Sequence, residues 1–543
     1  MQWKIQSAHQ PNTFQEVESL LLQNRGITDS NSFFNQKHPH DISLSEVGMS
    51  KKAMTTAAKI LEELRSSQQK VVIFGDYDAD GVCATAIMWL GLKQFGITAV
   101  PFIPRRDKHG YGLSVGAVSE IIAEHAPQLI ITVDNGIVAH EAVAFAQSKN
   151  CRVIVTDHHQ TDEKQNSAEA VLHTTDLCGA TVAYMVVAAL LKGQDCSPLL
   201  DLAALATIAD QVPMLGANRS FAFHGLAVLR QSPRKGIKAL LEVAGIVQYT
   251  ITSEDIGFGI APRINAMGRL AHGLDALRLL CSSNTERVAY LATTLSQTNT
   301  QRQLLTKELF EGALEVAEKQ QSEHVIITAS TEYHEGVIGL LAGRLAQQFS
   351  KPAIVISISE TTAKASVRSI PGVDIVAFLR SSRDLMTSLG GHTMAAGFGT
   401  EVSKLPQLHA ALFAYAKKAI SKEQLQPVRM AECKLPHSVV SLELLNTIDK
   451  FSPFGPGNTA PIFLLSELTV LQVKAVGKQA DHLQCTVSLP GTVQPLKLIG
   501  WGLGLRANEF NAGDIIECIG QLQKNSWRDR VSLQCVMSDI RHF

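Results

Sequence analysis

The chain has 543 residues, 45% of them hydrophobic and 18% charged, with a formal charge of −1. This composition excludes a disordered or collagenous chain, and at roughly 150 residues per domain the length allows three or four domains. The balanced charge excludes global basicity as a route to nucleic acid, so any such contact needs lysines and arginines concentrated locally. Nine cysteines are dispersed, without a C-x-x-C pair or a zinc spacing, which predicts a reducing compartment. The opening MQWKIQSAHQPNTF has no signal-peptide pattern and no apolar run is long enough to span a bilayer. A cytoplasmic protein without membrane contact is therefore expected.

Residues 1–50 are mixed and polar, with a helical patch at Phe14–Leu22, and a helix is expected over Lys51–Leu64. Three similar units come next. Lys70–Phe74 (KVVIF) ends in GDYDADG, Gln128–Val133 (QLIITV) ends in DNG, and Cys151–Thr156 (CRVIVT) ends in DHH. Each run is apolar and β-branched, the pattern of a buried strand. The stretches between them, such as Ala84–Leu92 and His140–Ser148, have helical patterning. Alternating strands and helices predict a parallel sheet with crossover helices. All three polar clusters then converge on the sheet edge where open α/β sheets bind ligands.

Leu199–Val212 is a further helix, ending near Asp210. Residues 284–320 are expected to form one long helix, capped by Asn284 and apolar at Val288, Leu291, Leu295, Leu304, Leu305 and Leu309. A second α/β segment has strands at His324–Thr328 and Ala353–Ile356, a helix at Gly336–Gln348 and the glycine-rich Leu389–Phe398. Residues 402–427 have the pattern of a helix and linker. From Val428 five short alternating runs predict a small β-barrel of the OB type. The expected division is an N-terminal extension (1–65), a parallel-sheet domain (66–283), a connecting helix (284–320), a second α/β domain (321–427) and an OB-like barrel (428–543).

In GDYDADG, Asp76, Asp78 and Asp80 alternate, which in an extended stretch places three carboxylates on one face. Carboxylates so close repel and desolvate one another unless a cation neutralises them. Oxygen-rich clusters suit Mg²⁺ or Mn²⁺. A calcium-binding loop is the competing reading, but it needs a glutamate where Ile87 stands and a place between two helices. Asp134 in VDNG reads on its own equally well as a turn residue. The histidines after Asp157, His158 and His159, add imidazole donors that tilt the choice toward Mn²⁺. Asp210 ends an apolar helix, where its charge opposes the macrodipole unless a cation faces it; an exposed loop carboxylate before Pro213 is the alternative. Together the segments offer at least five ligands, enough for two ions and hence for phosphoryl hydrolysis.

These segments, in this order, resemble the DHH phosphoesterase superfamily. His334–Leu345 (HEGVIGLLAGRL), Lys364–Ile370 (KASVRSI) and Gly390–Phe398 (GGHTMAAGF) resemble its DHHA1 domain. Leu21–Asp29, Ile103–Leu113 (IPRRDKHGYGL), Gly257–Leu270 (GFGIAPRINAMGRL) and Phe451–Phe463 (FSPFGPGNTAPIF) resemble the RecJ family of single-strand-specific exonucleases. The resemblance implies a 5′→3′ exonuclease on single-stranded DNA, acting in recombination and repair with Mn²⁺ or Mg²⁺. It makes Asp78, Asp80, Asp134, His158 and Asp210 metal ligands, with Asp134 bridging two ions. It places His159 at the scissile phosphate and gives Asp157 the task of orienting the histidines. Arg106, Arg263, Asn265, Arg269, Ser366, Arg368, Gly391 and His392 are then the substrate side. The competing expectation is that Arg263 and Arg269 pair with acids and that the glycines serve only a tight turn. In the barrel, Trp501 and Trp527 are expected to stack bases, and Lys474, Lys478, Lys524, Arg528 and Arg530 to meet phosphates. Single-strand binding protein and a RecQ-type helicase are the implied protein partners.

Two departures stand out. Phe74 occupies a strand end where superfamily members often carry a metal-binding histidine, which shifts weight to Asp76 or water. Gln160–Gly179 is shorter than the corresponding RecJ loop, which usually contains Asn-Pro. A DHH phosphodiesterase of short oligonucleotides or cyclic dinucleotides, or a pyrophosphatase, fits less well, because such compact enzymes lack the N-terminal extension and the barrel. A non-catalytic DNA-binding scaffold is disfavoured because all four acidic and histidine segments are present.

Overall fold

The first strand, β1 (Gln2–Ile5), runs parallel to Val428–Ala431, so the N-terminal segment folds onto the C-terminal part of the chain. The computed structural model describes residues 2–110, 112–527 and 530–543, without the side chains of Asp107, Ser526, Trp527 and Arg530. The chain divides into two units: residues 1–38, 211–223 and 428–543 form one, and residues 39–210 and 224–427 the other.

In the second of these units the apolar runs become a five-stranded parallel sheet. Its strands are β2 (Val71–Phe74), β3 (Ala99–Phe102), β4 (Leu129–Val133), β5 (Arg152–Asp157) and β6 (Ala170–His173), in the order β3-β2-β4-β5-β6. β2 and β4 are wholly buried, as strands covered on both faces by crossover helices must be. The chain leaves β2 for β3 on one side and returns to β4 on the other. The carboxyl ends of β2 and β4 therefore flank the switch point where such sheets open a crevice. Neither outer strand is evident from the sequence pattern: β3 contains Pro101, and β6 lies within the segment after DHH.

The helix Ala79–Phe95 has almost no polar face and is capped by Asp78 and by Gly96 at φ 96°. It packs on the equally apolar helix Gly179–Leu191 at Gly91, where an added Cβ would lie 2.4 Å from both methyls of Val187. Asn284 caps the long helix Thr285–Glu318 through the Arg287 N–H. Beyond it, β7 (Ile326–Ser330), β8 (Ala353–Ile358), β9 (Thr362–Arg368), β10 (Ser388–His392) and β11 (Ala395–Glu401) form a mixed sheet, ordered β10-β11-β9-β8-β7. Only β7 and β8 are parallel, joined by the crossover helix Ile338–Phe349. β10 and β11 meet at His392 and Ala395, so GGHTMAAGF is a tight hairpin.

In the other unit, β12 (Val428–Ala431) is the partner of β1. β13 (Phe463–Val476), β14 (His482–Ser488), β15 (Leu496–Gly500), β16 (Ile515–Trp527) and β17 (Arg530–His542) close into a barrel ordered β13-β14-β15-β17-β16. Helix Phe14–Asn24 packs into the same core. Arg219 is almost fully buried and holds this unit together through the carbonyls of Phe33, Phe451, Ser452 and Pro453.

Replacing Gly91 by Val drives a branched side chain into Val187. The variant is expected to lose about 1–3 kcal/mol of stability, read as a lower urea midpoint; an unchanged midpoint contradicts this packing.

Candidate metal centre

GDYDADG leaves β2 and enters a helix, and the helix start sets its geometry. Asp78 is the N-cap, accepting the Gly81 N–H at 3.0 Å. Asp80 lies in the first helical turn, so the expected extended alternation of the three aspartates does not exist. The carboxylates converge for a different reason. Asp80 is turned toward the start of the helix Gly179–Leu191, whose first N–H groups, Gly179 and Ala180, both reach it at 2.7 Å. Unpaired N–H groups at a helix start favour such an anion. Gly81 has to be glycine, because a Cβ there would lie 2.5 Å from that of Asp76.

Asp134, at the end of β4, has φ 63°, which aspartate tolerates better than most residues. It is 2% exposed, and its Oδ1 has no hydrogen-bond partner. A Cβ at Gly179 would lie 2.5 Å from that oxygen, so glycine there makes room for the carboxylate. His158 Nε2 lies 3.1 Å from Asp134 and 3.8 Å from both Asp80 and Asp210. Asp210 is the C-cap of the helix Leu200–Ala209. Three overlapping groups result: Asp76, Asp78 and Asp134; Asp80, His158 and Asp210; and Asp134, His158 and His159. Asp134 belongs to two of them.

Asp157 is the last residue of β5 rather than the first of a loop. Its Oδ1 accepts the N–H groups of His158 and His159 at 2.7 and 3.2 Å and sits 2.7 Å from His159 Nδ1. Its Oδ2 accepts the Ile137 N–H at 2.9 Å. Both histidines are thereby fixed to one carboxylate. His173 on β6, which no local pattern singles out, adds a contact of 2.7 Å to the His159 carbonyl. The segment after DHH is tied back by Asn166, which donates to the Gly136 and Ile137 carbonyls at 2.9 Å. Phe74 is fully buried and stacked on Phe102 at 5.6 Å. It supplies packing where a histidine would supply a donor.

The electrostatics show what this cluster lacks. Burial first, and the neighbouring carboxylates second, push Asp76 up to about 8 and Asp210 up to about 9. Asp78 and Asp134 are raised for the same reasons. Burial holds the His158 imidazole below its usual range, which suits a neutral ligand. Burial also pulls on His159, but the Asp157 hydrogen bond and charge, with Asp76 and Asp80, outweigh it and raise its pKa. Hard carboxylate oxygens with one neutral imidazole, and one buried oxygen without a partner, fit divalent cations of the Mg²⁺ or Mn²⁺ type.

Opposite in sign is a group of arginines. Burial first, then the cations Arg106, Arg302 and Arg368, push Arg269 down to about 10. Burial and Arg106 lower Arg368. Arg269 donates to the Gly336 carbonyl at 2.9 Å, and Arg368 to Ser366 Oγ at 3.2 Å. Arg263 donates to the Gly259 carbonyl and to Ser296 Oγ. Among the described residues neither Arg263 nor Arg269 has an ion pair, so the expected alternative of acid partners is absent. Arg106 lies over the Tyr77 ring, 5.8 Å from its centroid. Arg302, held by Asn299 Oδ1, joins this group without any local motif to reveal it. Asn265 Oδ1 accepts the Ala79 N–H at 2.7 Å and so braces GDYDADG directly.

Gly391 has φ 142°, and a Cβ there would strike the Ala395 carbonyl and Ala396 at 2.4 Å, so glycine is required by the hairpin itself. His392 is exposed on the outer strand β10. In the barrel, Trp501 is exposed and meets His482 edge-on. Lys474 and Lys478 are exposed, and Lys524 pairs with Asp449 at 3.0 Å. The side chains of Trp527 and Arg530, and all of Arg528 and Tyr111, lie outside the described residues.

Comparison with known proteins gives the family. Residues 70–207 match the model of the DHH family N-terminal domain, 322–418 the DHHA1 domain and 431–539 the RecJ OB domain. The single-stranded-DNA-specific exonuclease RecJ of Bacillus subtilis is 32% identical over 559 aligned residues, covering 99% of this chain and 70% of that protein. The chain belongs to the RecJ family. The RecJ of Haemophilus influenzae is 33% identical, covering 89% of this chain and 90% of its own. The crystal structure of Thermus thermophilus RecJ with Mn²⁺ superposes with a TM-score of 0.83 at 27% identity, covering 99% of this chain and 79% of that one. A structure of the same RecJ contains Mg²⁺ and gives a TM-score of 0.76. The metals of those RecJ structures match the preference argued from the donor set here.

Two outcomes are expected. In Gly179→Ala the groups nearest the added Cβ all belong to Asp134, so the variant should bind Mn²⁺ about 10–100-fold more weakly by calorimetric titration, with an unchanged circular-dichroism spectrum; wild-type affinity contradicts the cradle. Asp76 and Asp210 have raised pKa values in the metal-free fold. Their contribution is fully present below the unfolded value of 3.8 and is lost as pH rises through about 8 to 9. Each such carboxylate costs about 1.4 kcal/mol per pH unit across that window. In EDTA the melting temperature should fall steadily from pH 5 to pH 9, and Mn²⁺ should restore it most at high pH; a flat profile in EDTA contradicts the charge crowding.

Proposed function

We propose that this chain is an exonuclease that hydrolyses single-stranded DNA from the 5′ end with two divalent ions, in recombination and repair. The observation that carries this reading is the buried carboxylate of Asp134, which belongs to two groups of metal donors and whose Oδ1 accepts no hydrogen bond but lies 3.1 Å from His158 Nε2.

Asp78, Asp80, Asp134, His158 and Asp210 would hold the ions, with Asp76 the further donor for the first. The ions, when bound, supply neutralisation of the phosphate charge and activation of water. The remaining work falls to the chain itself. His159, its Nδ1 2.7 Å from Asp157 Oδ1 and its ring against that of His158, would face the scissile phosphate. With its pKa raised, His159 carries a proton for the leaving oxygen or charge for the transition state. Arg106, Arg269 and Arg368 are the phosphate clamp, since buried guanidiniums without acid partners are best satisfied by a dianion or diester. Ser366 aims Arg368, and Asn265 keeps the start of the Ala79 helix in place. Arg263, Gly391 and His392 extend the substrate side.

The division into an extension (1–65), a catalytic domain (66–283), a connecting helix (284–320), a substrate-binding domain (321–427) and a DNA-binding barrel (428–543) accords with this assignment. Trp501 would stack a base and Lys474 and Lys478 meet phosphates. The cytoplasm is the compartment, and single-strand binding protein and a RecQ-type helicase are the protein partners that such an activity calls for.

Single-stranded DNA labelled at either end, incubated with Mn²⁺ and wild-type or Asp134→Ala protein, tests the reading. Mononucleotides should appear first from the 5′ end, with the variant slowed by about 10³-fold or more. Binding without cleavage under any divalent ion supports a scaffold instead, and cleavage of only very short oligonucleotides supports a small phosphodiesterase.

A further inference from the structure

A cavity of about 620 Å³ lies at the outer edge of the parallel sheet, apart from the carboxylates. Its floor is apolar, formed by Trp89, Phe102 and Leu277. The edge strand beside it is closed to a further strand: Trp89 Nε1 donates to the Ala99 carbonyl at 3.1 Å, and Pro101 has no N–H to offer. The space therefore suits a small molecule rather than an extended peptide, and its volume is that of ordinary ligand pockets.

Charges of both signs line it. Arg105, Arg278 and Arg287 line one part of the rim, and Glu120 and Glu124 another. Glu120 is already engaged by Lys108 at 2.5 Å and His109 at 3.1 Å. Glu124 lies 3.7 Å from His125, and Arg278 is paired with Asp275. Among the described residues no acid is paired with Arg287. Burial above all, with Arg105 and Arg278 acting against Asp275, holds the nearby His272 below its usual range. An apolar floor beside Arg287 fits a molecule with one flat apolar part and one anionic group.

The cavity also shares a wall with the metal centre. Ile103 lines it, and a Cβ at Gly75 or at Gly273 would lie 2.9 Å from that side chain. Gly75 begins GDYDADG, and Gly273 sits against Tyr77. Arg105 and His109 face the cavity while Arg106, next in the chain to Arg105, lies over Tyr77. Close packing leaves no slack, so a displacement of Ile103–His109 reaches Arg106 and Asp76.

We propose that this cavity is a regulatory site for a deoxynucleoside monophosphate, with the base on the apolar floor and the phosphate at Arg287. The inference rests on the exonuclease reading for the source of the ligand, since mononucleotides are the product of that reaction. Equilibrium dialysis with labelled dTMP in EDTA separates this site from the metal centre. Binding should survive Arg368→Ala and weaken at least about tenfold in Leu277→Trp and in Arg287→Glu. Arg287 is exposed, so its variant remains informative if the Leu277 variant does not fold. With Mn²⁺ and saturating single-stranded DNA, dTMP should change the wild-type kcat by about fivefold, while both variants keep the basal rate and lose the response. Binding that Leu277→Trp and Arg287→Glu leave intact, no binding, or binding without a rate response overturns the proposal. Basal cleavage of the DNA in the same assay reports on the exonuclease reading separately.

Discussion

Five aspartates and a histidine meet in a largely buried space where His159 and Arg106 offset only part of the crowding on Asp76, and the rest of the site is arranged around that excess of charge. Asp134 is the centre of it, held at a left-handed backbone angle with one oxygen that accepts no hydrogen bond and lies 3.1 Å from His158 Nε2. Backbone N–H groups do what they can: Asp80 takes two from the start of the Gly179 helix, Asp78 one from its own helix, and Asp157 three from two loops. Hydrogen bonds of this kind aim carboxylates but do not discharge them. Divalent cations do, and the RecJ structures from Thermus thermophilus contain Mn²⁺ and Mg²⁺.

The arginines near Ser366 have the reverse problem. Burial lowers Arg269 and Arg368, and the charge of Arg106 adds to it in both. An excess of negative charge at the carboxyl ends of the parallel strands thus stands near arginines from three helices and one strand, within the same unit of the fold. Among the described residues the two do not cancel through direct ion pairs; Arg269 donates instead to the Gly336 carbonyl. A phosphodiester with bound metal is complementary to both at once, which makes the separation of charge a device for binding and cleavage rather than a defect of the fold.

Much of this was legible in the sequence because strand ends carry the chemistry. KVVIF, QLIITV and CRVIVT are too apolar and β-branched to be anything but buried strands, and parallel strands bring their terminal clusters to one edge. The capping of the long helix by Asn284 was equally readable. The alternation of Asp76, Asp78 and Asp80 led to the right grouping by the wrong geometry, since Asp80 is helical and its partners, Gly179 and Ala180, are far away in sequence. Long-range partners leave no local signal. For the same reason Arg302, His173 and the bracing role of Asn265 emerged only with the fold. The edge strands β3 and β6 escaped because one contains a proline and the other is short and comes after a polar segment.

The central claim is that the metal-free site holds protons that divalent ions must displace. Titrating Mn²⁺ into the chelator-treated protein at pH 7, in buffers of differing ionisation enthalpy, measures those protons directly. The account predicts two ions bound per chain with net proton release, rising as the pH is lowered toward 6. Binding of Mn²⁺ without proton release would mean that the carboxylates are already ionised in the free protein, and that the crowding around Asp134 is not what calls the metal in.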